Sequence, residues 1–132
     1  MALLIAATSL AFPATALAAL EVDFRTPSRG AYCDYVPRGE IIEGGIENPR
    51  VSFLCWTPND GFVVNTHATG RVSKGYATQR LRAFWPVEQV LDFGERWAMP
   101  GIRCVSRRSG LTCRNDAGHG FWLGRFRGYR VF

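Results

Sequence analysis

The sequence predicts an all-β fold, a small antiparallel sandwich or barrel held by two disulfides, with little helix in the mature chain. Short segments of alternating or β-branched residues recur along the chain and are separated by turns containing Gly and Pro. Four cysteines follow an apolar leader, a pattern typical of exported domains stapled by disulfides. The clearest single signal is residues 102–115, where two such segments and two cysteines flank one turn.

Residues 102–106 and 111–115 predict the two strands of a hairpin, because apolar and polar residues nearly alternate in both. The four residues between them suit a hairpin loop, in which Gly110 supplies the positive φ that such loops require. This register places Cys104 directly opposite Cys113. Opposed Cα atoms in a non-hydrogen-bonded pair lie about 4.5 Å apart, within the range that a disulfide spans.

The same register places Arg103 directly opposite Arg114. The face away from the core then carries Arg103, Arg107 and Arg114. Like charges in this position destabilise a sheet unless something neutralises them. One interpretation is neutralisation by Asp116, Asp92 or Glu95, or by solvent, and the other is an anionic partner.

The remaining cysteines predict a second disulfide, Cys33–Cys55. In the loop-entropy model each ring stabilises the fold by about 3 kcal/mol, a large share of a small domain's stability. A metal site made from all four thiolates is the alternative. The spacing argues against it, because the chain contains no C-x-x-C pair.

The N-terminus predicts export. Residues 1–18 are uncharged and apolar, and they end in a small-x-small cleavage signal, so they are expected to be a secretory signal peptide cleaved after Ala18 or Ala19. A membrane span is the weaker interpretation, since the run is short and contains Pro13. Residues 19–132 are expected to form a single β domain. Its net charge of +5 favours association with anionic surfaces.

The remaining elements follow in chain order. Strands are predicted at 21–26, 31–36, 41–42, 51–56, 62–65, 71–73 and 96–99, with one or two closing strands after a Gly-rich turn. The first strand is expected to point Val22 and Phe24 inward. Residues 79–85 suit either a strand or a helical turn, and the spacing of apolar residues in 87–93 suits one or two helical turns. No internal repeat and no second domain are evident.

Two motifs stand near the ends of the predicted mature chain. Near the start, Phe24-Arg25-Thr26-Pro27-Ser28 is followed by Cys33. Near the end stand Gly110, Thr112, Cys113, Asn115 and Gly118-His119-Gly120-Phe121, followed by Arg125 and Tyr129-Arg130-Val131-Phe132. They resemble the F-x-S/T-P-S-x-N-I-x-C opening and the G-x-T-C-x-N-x-x-G-H-G-F closing motif of a family of small secreted bacterial proteins of unknown function. This chain lacks the family's opening Asn and a third disulfide. The resemblance implies an exported β domain and no particular activity.

The sequence offers few catalytic candidates. His119 stands between two glycines, where it is either an exposed base or ligand, or a turn imidazole that bonds the backbone while Gly118 and Gly120 take positive φ; the structural interpretation is favoured. His67 is expected to be solvent-exposed. The spacing of Glu88, Asp92, Glu95 and Asp116 singles out no catalytic pair. No nucleophile elbow or phosphate loop is present, so no enzyme, metal or cofactor is predicted.

The predicted function is therefore a non-catalytic binding module in the periplasm or outside the cell, whose partner is an anionic envelope polymer or a secreted protein. The candidate anion-binding residues are Arg103, Arg107, Arg114, Arg125 and Arg127. The tail 121–132 interleaves aromatic residues with arginines. This pattern suggests either stacking on a ligand or a final strand that buries alternate aromatics. Nucleic acid and a membrane span after signal cleavage are not expected.

Two other functions remain open. One is inhibition of a secreted hydrolase by a rigid loop comprising Asp116, Gly118, His119 and Gly120. The other is a weak enzyme centred on His119.

Overall fold

The computed structural model of the chain describes residues 22–42, 44–76, 87 and 89–132. The predicted signal peptide and the ambiguous segment at 79–85 lie outside these residues. Within them the chain forms strands and no helix, so the all-β prediction is confirmed. The strands are β1 (Asp23–Arg25), β2 (Tyr32–Val36), β3 (Ile41–Ile42), β4 (Ile46–Glu47), β5 (Ser52–Thr57), β6 (Phe62–Thr66), β7 (Ser73–Tyr76), β8 (Arg96–Met99), β9 (Ile102–Arg107), β10 (Gly110–Asn115), β11 (Gly120–Gly124) and β12 (Tyr129–Val131).

Two five-stranded antiparallel sheets make up the domain. The first sheet has the order β1-β2-β5-β6-β7, and the second sheet runs β8-β9-β10-β11-β12. The small β3–β4 hairpin is inserted between β2 and β5, and its isoleucines are exposed. Since nearly every strand pairs with its neighbour in the chain, short turns can fix the topology.

The inner faces of the two sheets share one aromatic core. Trp97 of the second sheet packs against Phe24, Tyr35 and Phe53 of the first, with ring centroids 5.1, 5.7 and 5.1 Å apart. The Tyr35 hydroxyl donates a hydrogen bond of 2.8 Å to the Pro100 carbonyl in the second sheet. These contacts across the sheets make the domain a sandwich.

Both predicted disulfides are present. Cys33 faces Cys55 and Cys104 faces Cys113 as direct cross-strand partners, with Cα atoms 4.1 Å apart in each pair. All four sulfurs belong to the buried core. Each disulfide therefore covalently joins the second and third strands of its own sheet.

The two sheets repeat one arrangement, although the sequence shows no evident repeat. Each is a five-stranded meander whose disulfide lies at the same place. In the first strand of each, an aromatic residue pairs with the first cysteine, Phe24 with Cys33 and Trp97 with Cys104. The register is repeated while most side chains differ.

Several predicted boundaries shift. The β9–β10 hairpin is one pair longer than predicted, because Arg107 pairs with Gly110 and leaves a two-residue loop. Gly110 has the predicted positive φ, 151°. The edge strand expected at 71–73 is instead β7. Two closing strands are present, β11 and β12.

Two further predictions are wrong, one about the burial of Val22 and one about helical turns in residues 87–93. Val22 is 41% exposed, because it precedes β1 at the edge of the first sheet, whereas Phe24 is fully buried. The described residues of 87–93 form no helical turn. Val90 instead makes a parallel bridge to Arg25, and the backbone bonds from Arg25 to Gln89 and from Leu91 to Arg25 support it. Tertiary pairing thus decides a segment whose periodicity is ambiguous.

Candidate functional site

Five arginines point outward from the second sheet. Strand alternation places Trp97, Cys104 and Cys113 inward, and it brings the residues between them to the outer side. We call this surface the arginine face, and its exposed cations are Arg96, Arg103, Arg107, Arg114 and Arg130. The aromatic residue Trp122 lies between Thr112 and Arg130 in the same cross-strand row.

Arg103 and Arg114 are direct cross-strand partners at the centre of this face, as predicted. Both are exposed, and neither forms an ion pair with a carboxylate of the described residues. The expected neutralisation by Asp116, Asp92 or Glu95 is therefore not found there. Arg114 instead lies over the Phe132 ring, 4.5 Å from its centroid.

A shallow depression of about 310 Å³ lies beside this pair. Arg96, Arg103 and Arg114 border it, and Val105 and Thr112 contribute to its floor. Cations therefore surround a partly apolar surface. Such a surface suits an anionic group attached to a less polar body.

The other predicted arginines lie toward the β9–β10 turn. Arg107 is exposed at the end of β9, and Arg127 is exposed in the loop between β11 and β12. Arg125 differs, because it is half-buried and its guanidinium lies over the Phe93 and Phe126 rings, at 5.1 and 4.9 Å from their centroids. The structure thus brings Arg103, Arg107 and Arg114 onto one face and Arg127 near its end, while Arg125 is held by stacking.

The backbone of Arg125 also ties the two sheets together. Its amide donates to the Ser109 carbonyl at 3.1 Å, and its carbonyl accepts a bond of 3.5 Å from the Ser28 hydroxyl. A Cβ added at Gly30 would collide with this carbonyl oxygen. Arg125 therefore has a structural role in holding the end of the arginine face.

Asn115 organises the loop from Asp116 to His119. Its side chain is 1% exposed, and its Oδ1 accepts bonds of 3.0 Å from the amides of Ala117 and His119. Its Nδ2 donates a bond of 2.8 Å to the Gly70 carbonyl in the first sheet's β6–β7 connection. Sequence reasoning missed this role. The signal that could have found it is a polar residue at a position that alternation turns inward.

The loop is also fixed by its own backbone. The Asp116 amide lies 3.1 Å from the carbonyls of both Ala68 and Gly101, and the Asn115 amide donates to the His119 carbonyl at 2.8 Å. Gly118 takes a positive φ of 82°, as predicted. Gly120 does not, so that part of the prediction is wrong. A Cβ there would collide with the Cys113 carbonyl oxygen, so Gly120 is required for close backbone approach.

The two histidines differ from the predictions. His119 is half-buried, and its hydrogen bonds to described residues run through its backbone rather than its imidazole. The ring lines an open groove of about 400 Å³ with Arg71 and Phe132. His67 is not solvent-exposed as expected. It is half-buried, and its Nδ1 lies 2.7 Å from the Val51 carbonyl oxygen.

The outer side of the first sheet carries a carboxyl pair that sequence reasoning also missed. Asp23 and Asp34 are direct cross-strand partners. Burial, the hydrogen bond with Asp23 and the negative charges of Asp23 and Glu40 together raise the pKa of Asp34 to about 7. The hydrogen bond from the Tyr35 backbone opposes this shift. Asp34 therefore takes up a proton more readily than an ordinary aspartate.

Within the described ranges, no group of three or more His, Cys, Asp and Glu side chains is arranged to hold a metal ion. The same residues include no helix with the length and apolar character needed to cross a membrane.

The fold and these features define a disulfide-linked, all-β sandwich with exposed arginines on one outer face. Its disulfides indicate folding in an oxidising, exported environment. No protein-family model matches the chain, and the searches of curated proteins and of solved structures found no significant similarity. The resemblance to the family of small secreted bacterial proteins therefore stays a prediction.

Proposed function

We propose that this protein is an exported, non-catalytic binding module, and that its arginine face holds an anionic partner in the periplasm or outside the cell. The observation that carries the proposal is the direct opposition of Arg103 and Arg114 without a carboxylate of the described residues between them. A like-charge pair of this kind costs a few tenths of a kcal/mol. Binding of an anion would remove that cost.

The chemistry of arginine strengthens the argument. A guanidinium stays protonated at every physiological pH, so this pair cannot relieve its repulsion by losing a proton. Its planar fork also matches carboxylate, sulfate and phosphate groups, which it binds through two parallel hydrogen bonds. Two such forks on adjacent strands suit a ligand that carries several anionic groups.

The spacing of the arginines favours a polymer over a single small anion. Arg96, Arg103 and Arg114 lie on three successive strands, and neighbouring strands are about 4.8 Å apart. Arg107 extends the set along β9 toward the turn. A chain with repeated negative groups could contact several of these cations at once.

The test is retention of the folded mature protein on immobilised heparin and on anionic lipid vesicles. The double variant Arg103→Glu plus Arg114→Glu should elute from heparin at clearly lower salt and should lose most vesicle binding. The matched control is Arg38→Glu plus Arg50→Glu, which makes the same change in net charge at two exposed arginines far along the chain from this face. Equal losses in both variants, or binding insensitive to salt, would refute a defined site.

The Asn115-organised loop supports a second candidate, inhibition of a secreted hydrolase. Its bonds to Ala68, Gly70 and Gly101 hold residues 116–119 in one conformation, and a rigid loop loses little entropy when it enters an active site. The expected result is capture of a hydrolase from secreted extracts and its loss in His119→Ala. The arginine double variant is the control, because neither substituted residue belongs to the loop. Failure to capture any hydrolase would contradict this candidate.

A further inference from the structure

Trp122 lies on the outer side of the second sheet, beside three glycines. Three glycines, Gly110, Gly124 and Gly128, surround its indole. A Cβ added to them would lie 2.8 Å from Nε1, 3.0 Å from Cη2 and 3.7 Å from Cζ3, respectively. The first distance is too short for a real side chain and the second is tight, although the nearest obstacles there are the carbonyl oxygens of Leu123 and Arg127. The indole therefore lies close to two positions that backbone packing already restricts to glycine.

The glycines therefore let the indole lie close against the sheet. Gly110 and Gly124 are cross-strand partners on β10 and β11, and the Gly124 amide donates to the Gly128 carbonyl at 2.9 Å. The three consequently form one small backbone surface under and beside the ring. Trp122 nevertheless remains half-exposed, so part of the ring faces solvent.

The Trp122 ring is one wall of an open groove of about 580 Å³ at the end of the arginine face. Phe126, which is 67% exposed, is a second aromatic wall. Arg108, Arg125 and Arg127 also line the groove, and none of the described residues that line it carries a carboxylate. Two aromatic residues and three arginines thus line one opening.

Phe126 has contacts at both its backbone and its ring. Its backbone carbonyl accepts a bond of 3.4 Å from the side-chain Nδ2 of Asn59, and the Arg125 guanidinium lies 4.9 Å from the ring centroid. The same guanidinium lies 5.1 Å from the centroid of the Phe93 ring. This Phe93–Arg125–Phe126 stack preorganises the groove, which lowers the entropy lost on binding.

We propose that this groove binds an anionic glycan, one that carries carboxylate or sulfate groups on pyranose rings. A sugar ring would stack its C–H face on Trp122, because the electron-rich face of an indole attracts weakly positive hydrogens. Arg108 and Arg127 would then pair with the charged groups. This inference rests on the proposed function. It adds that the ligand must carry a sugar ring as well as negative charges.

The aromatic wall distinguishes a glycan from other anions. Polyphosphate and phospholipid headgroups carry the charge but offer no sugar ring of this kind to stack. Nucleic acid offers both bases and charge. The disulfides indicate an oxidising, exported environment, however, outside the compartment in which nucleic acid is made, so the glycan is the favoured occupant.

The experiment compares three ligands with the disulfide-intact mature protein: polygalacturonate, polyphosphate and single-stranded oligodeoxythymidine. Trp122→Ala should weaken binding of polygalacturonate about tenfold and leave polyphosphate binding within about twofold. Trp122→Phe, which keeps an aromatic ring, should retain most of the affinity. It also keeps the test valid if the alanine variant does not fold.

Each outcome bears on a different proposal. Unchanged polygalacturonate binding in both Trp122 variants would overturn the glycan inference. The proposed function would still stand in that case if the Arg103→Glu plus Arg114→Glu variant binds polyphosphate more weakly than the wild-type protein. Loss of oligodeoxythymidine binding equal to that of polygalacturonate would replace the glycan by nucleic acid. Failure of the wild-type protein to bind any of the three polyanions would refute the proposed function itself.

Discussion

Asn115→Ala should destabilise the protein. The size of the effect follows from the hydrogen bonds that the Asn115 side chain makes. The substitution removes three bonds from a side chain that is 1% exposed. It leaves the Gly70 carbonyl and the amides of Ala117 and His119 without their partner. A buried polar group left unsatisfied costs about 1–3 kcal/mol. Because Gly70 and Ala117 are exposed and their backbone can bond water, we expect a total loss of about 2–4 kcal/mol in the free energy of unfolding.

The assay is urea unfolding followed by tryptophan fluorescence, together with amide hydrogen exchange. The midpoint should fall at an unchanged m-value, and the Ala117 and His119 amides should exchange much faster than the core amides. Asn115→Asp is the informative companion. It keeps the Oδ1 acceptor but, when ionised, cannot donate to Gly70, so it should be destabilised at pH 7 and partly recover in acid.

A loss below about 0.5 kcal/mol in Asn115→Ala would refute the reasoning, since that is the range of neutral surface substitutions. Uniformly faster exchange across the core, with no extra effect at the two loop amides, would also contradict it. In that case Asn115 would be filling space rather than organising the loop.

Three further predictions follow from other parts of the fold. Because the pKa of Asp34 is raised from 3.8 to about 7, the folded state holds a proton that the unfolded chain releases; its stabilisation is full below about pH 4 and is lost as the pH rises through about 7. Urea unfolding at pH 4.5 and 7.5 should show a fall of about 1–2 kcal/mol in the free energy of unfolding, allowing for solvent screening of a partly exposed group. Asp34→Asn should abolish this difference between the two pH values; an unchanged difference in the variant would mean that another group causes it. Arg103→Thr should raise the unfolding free energy by a few tenths of a kcal/mol, because it removes repulsion from Arg114, while heparin retention falls; a loss of stability would mean that an unidentified partner already neutralises the pair. Gly30→Ala should cost about 1–3 kcal/mol in thermal unfolding, since its Cβ would collide with the Arg125 carbonyl oxygen, and a neutral result would show that the loop yields.

The β9–β10 hairpin could be predicted from sequence because two independent local signals agree on it. The Gly110 turn and the spacing of Cys104 and Cys113 require the same register, and the structure has it. The same logic gives the opposition of Arg103 and Arg114. Local signals are sufficient here because the residues that interact lie close together in the chain.

Features that depend on distant segments could not be found this way. Asn115 matters because the Gly70 carbonyl lies beside it, and that proximity arises only when the two sheets pack. Trp122 lies close to Gly110 on the neighbouring strand, where an added Cβ would come within 2.8 Å of the indole Nε1. The bridge between Arg25 and Val90 joins residues that no periodicity relates. Each of these contacts is set by tertiary structure.

Each outer face of the sandwich places two side chains of like charge opposite each other, and the sign of the charge differs between the two faces. The first sheet opposes Asp23 to Asp34, and the second opposes Arg103 to Arg114. A carboxyl pair can relieve its own repulsion by holding a proton, as the raised pKa of Asp34 indicates. A guanidinium pair has no such route at any physiological pH.

The repulsion on the arginine face can therefore be relieved only by an anion from outside the pair. No carboxylate of the described residues forms an ion pair with either guanidinium, and solvent ions or a bound partner could supply the counter-charge. Solvent ions screen weakly held charges without regard to their arrangement. The proposed site, in which the arginine face adjoins the Trp122 groove, would instead bind one polyanion more tightly than others. Selectivity between polygalacturonate and polyphosphate, measured at equal ionic strength, separates these two sources of counter-charge.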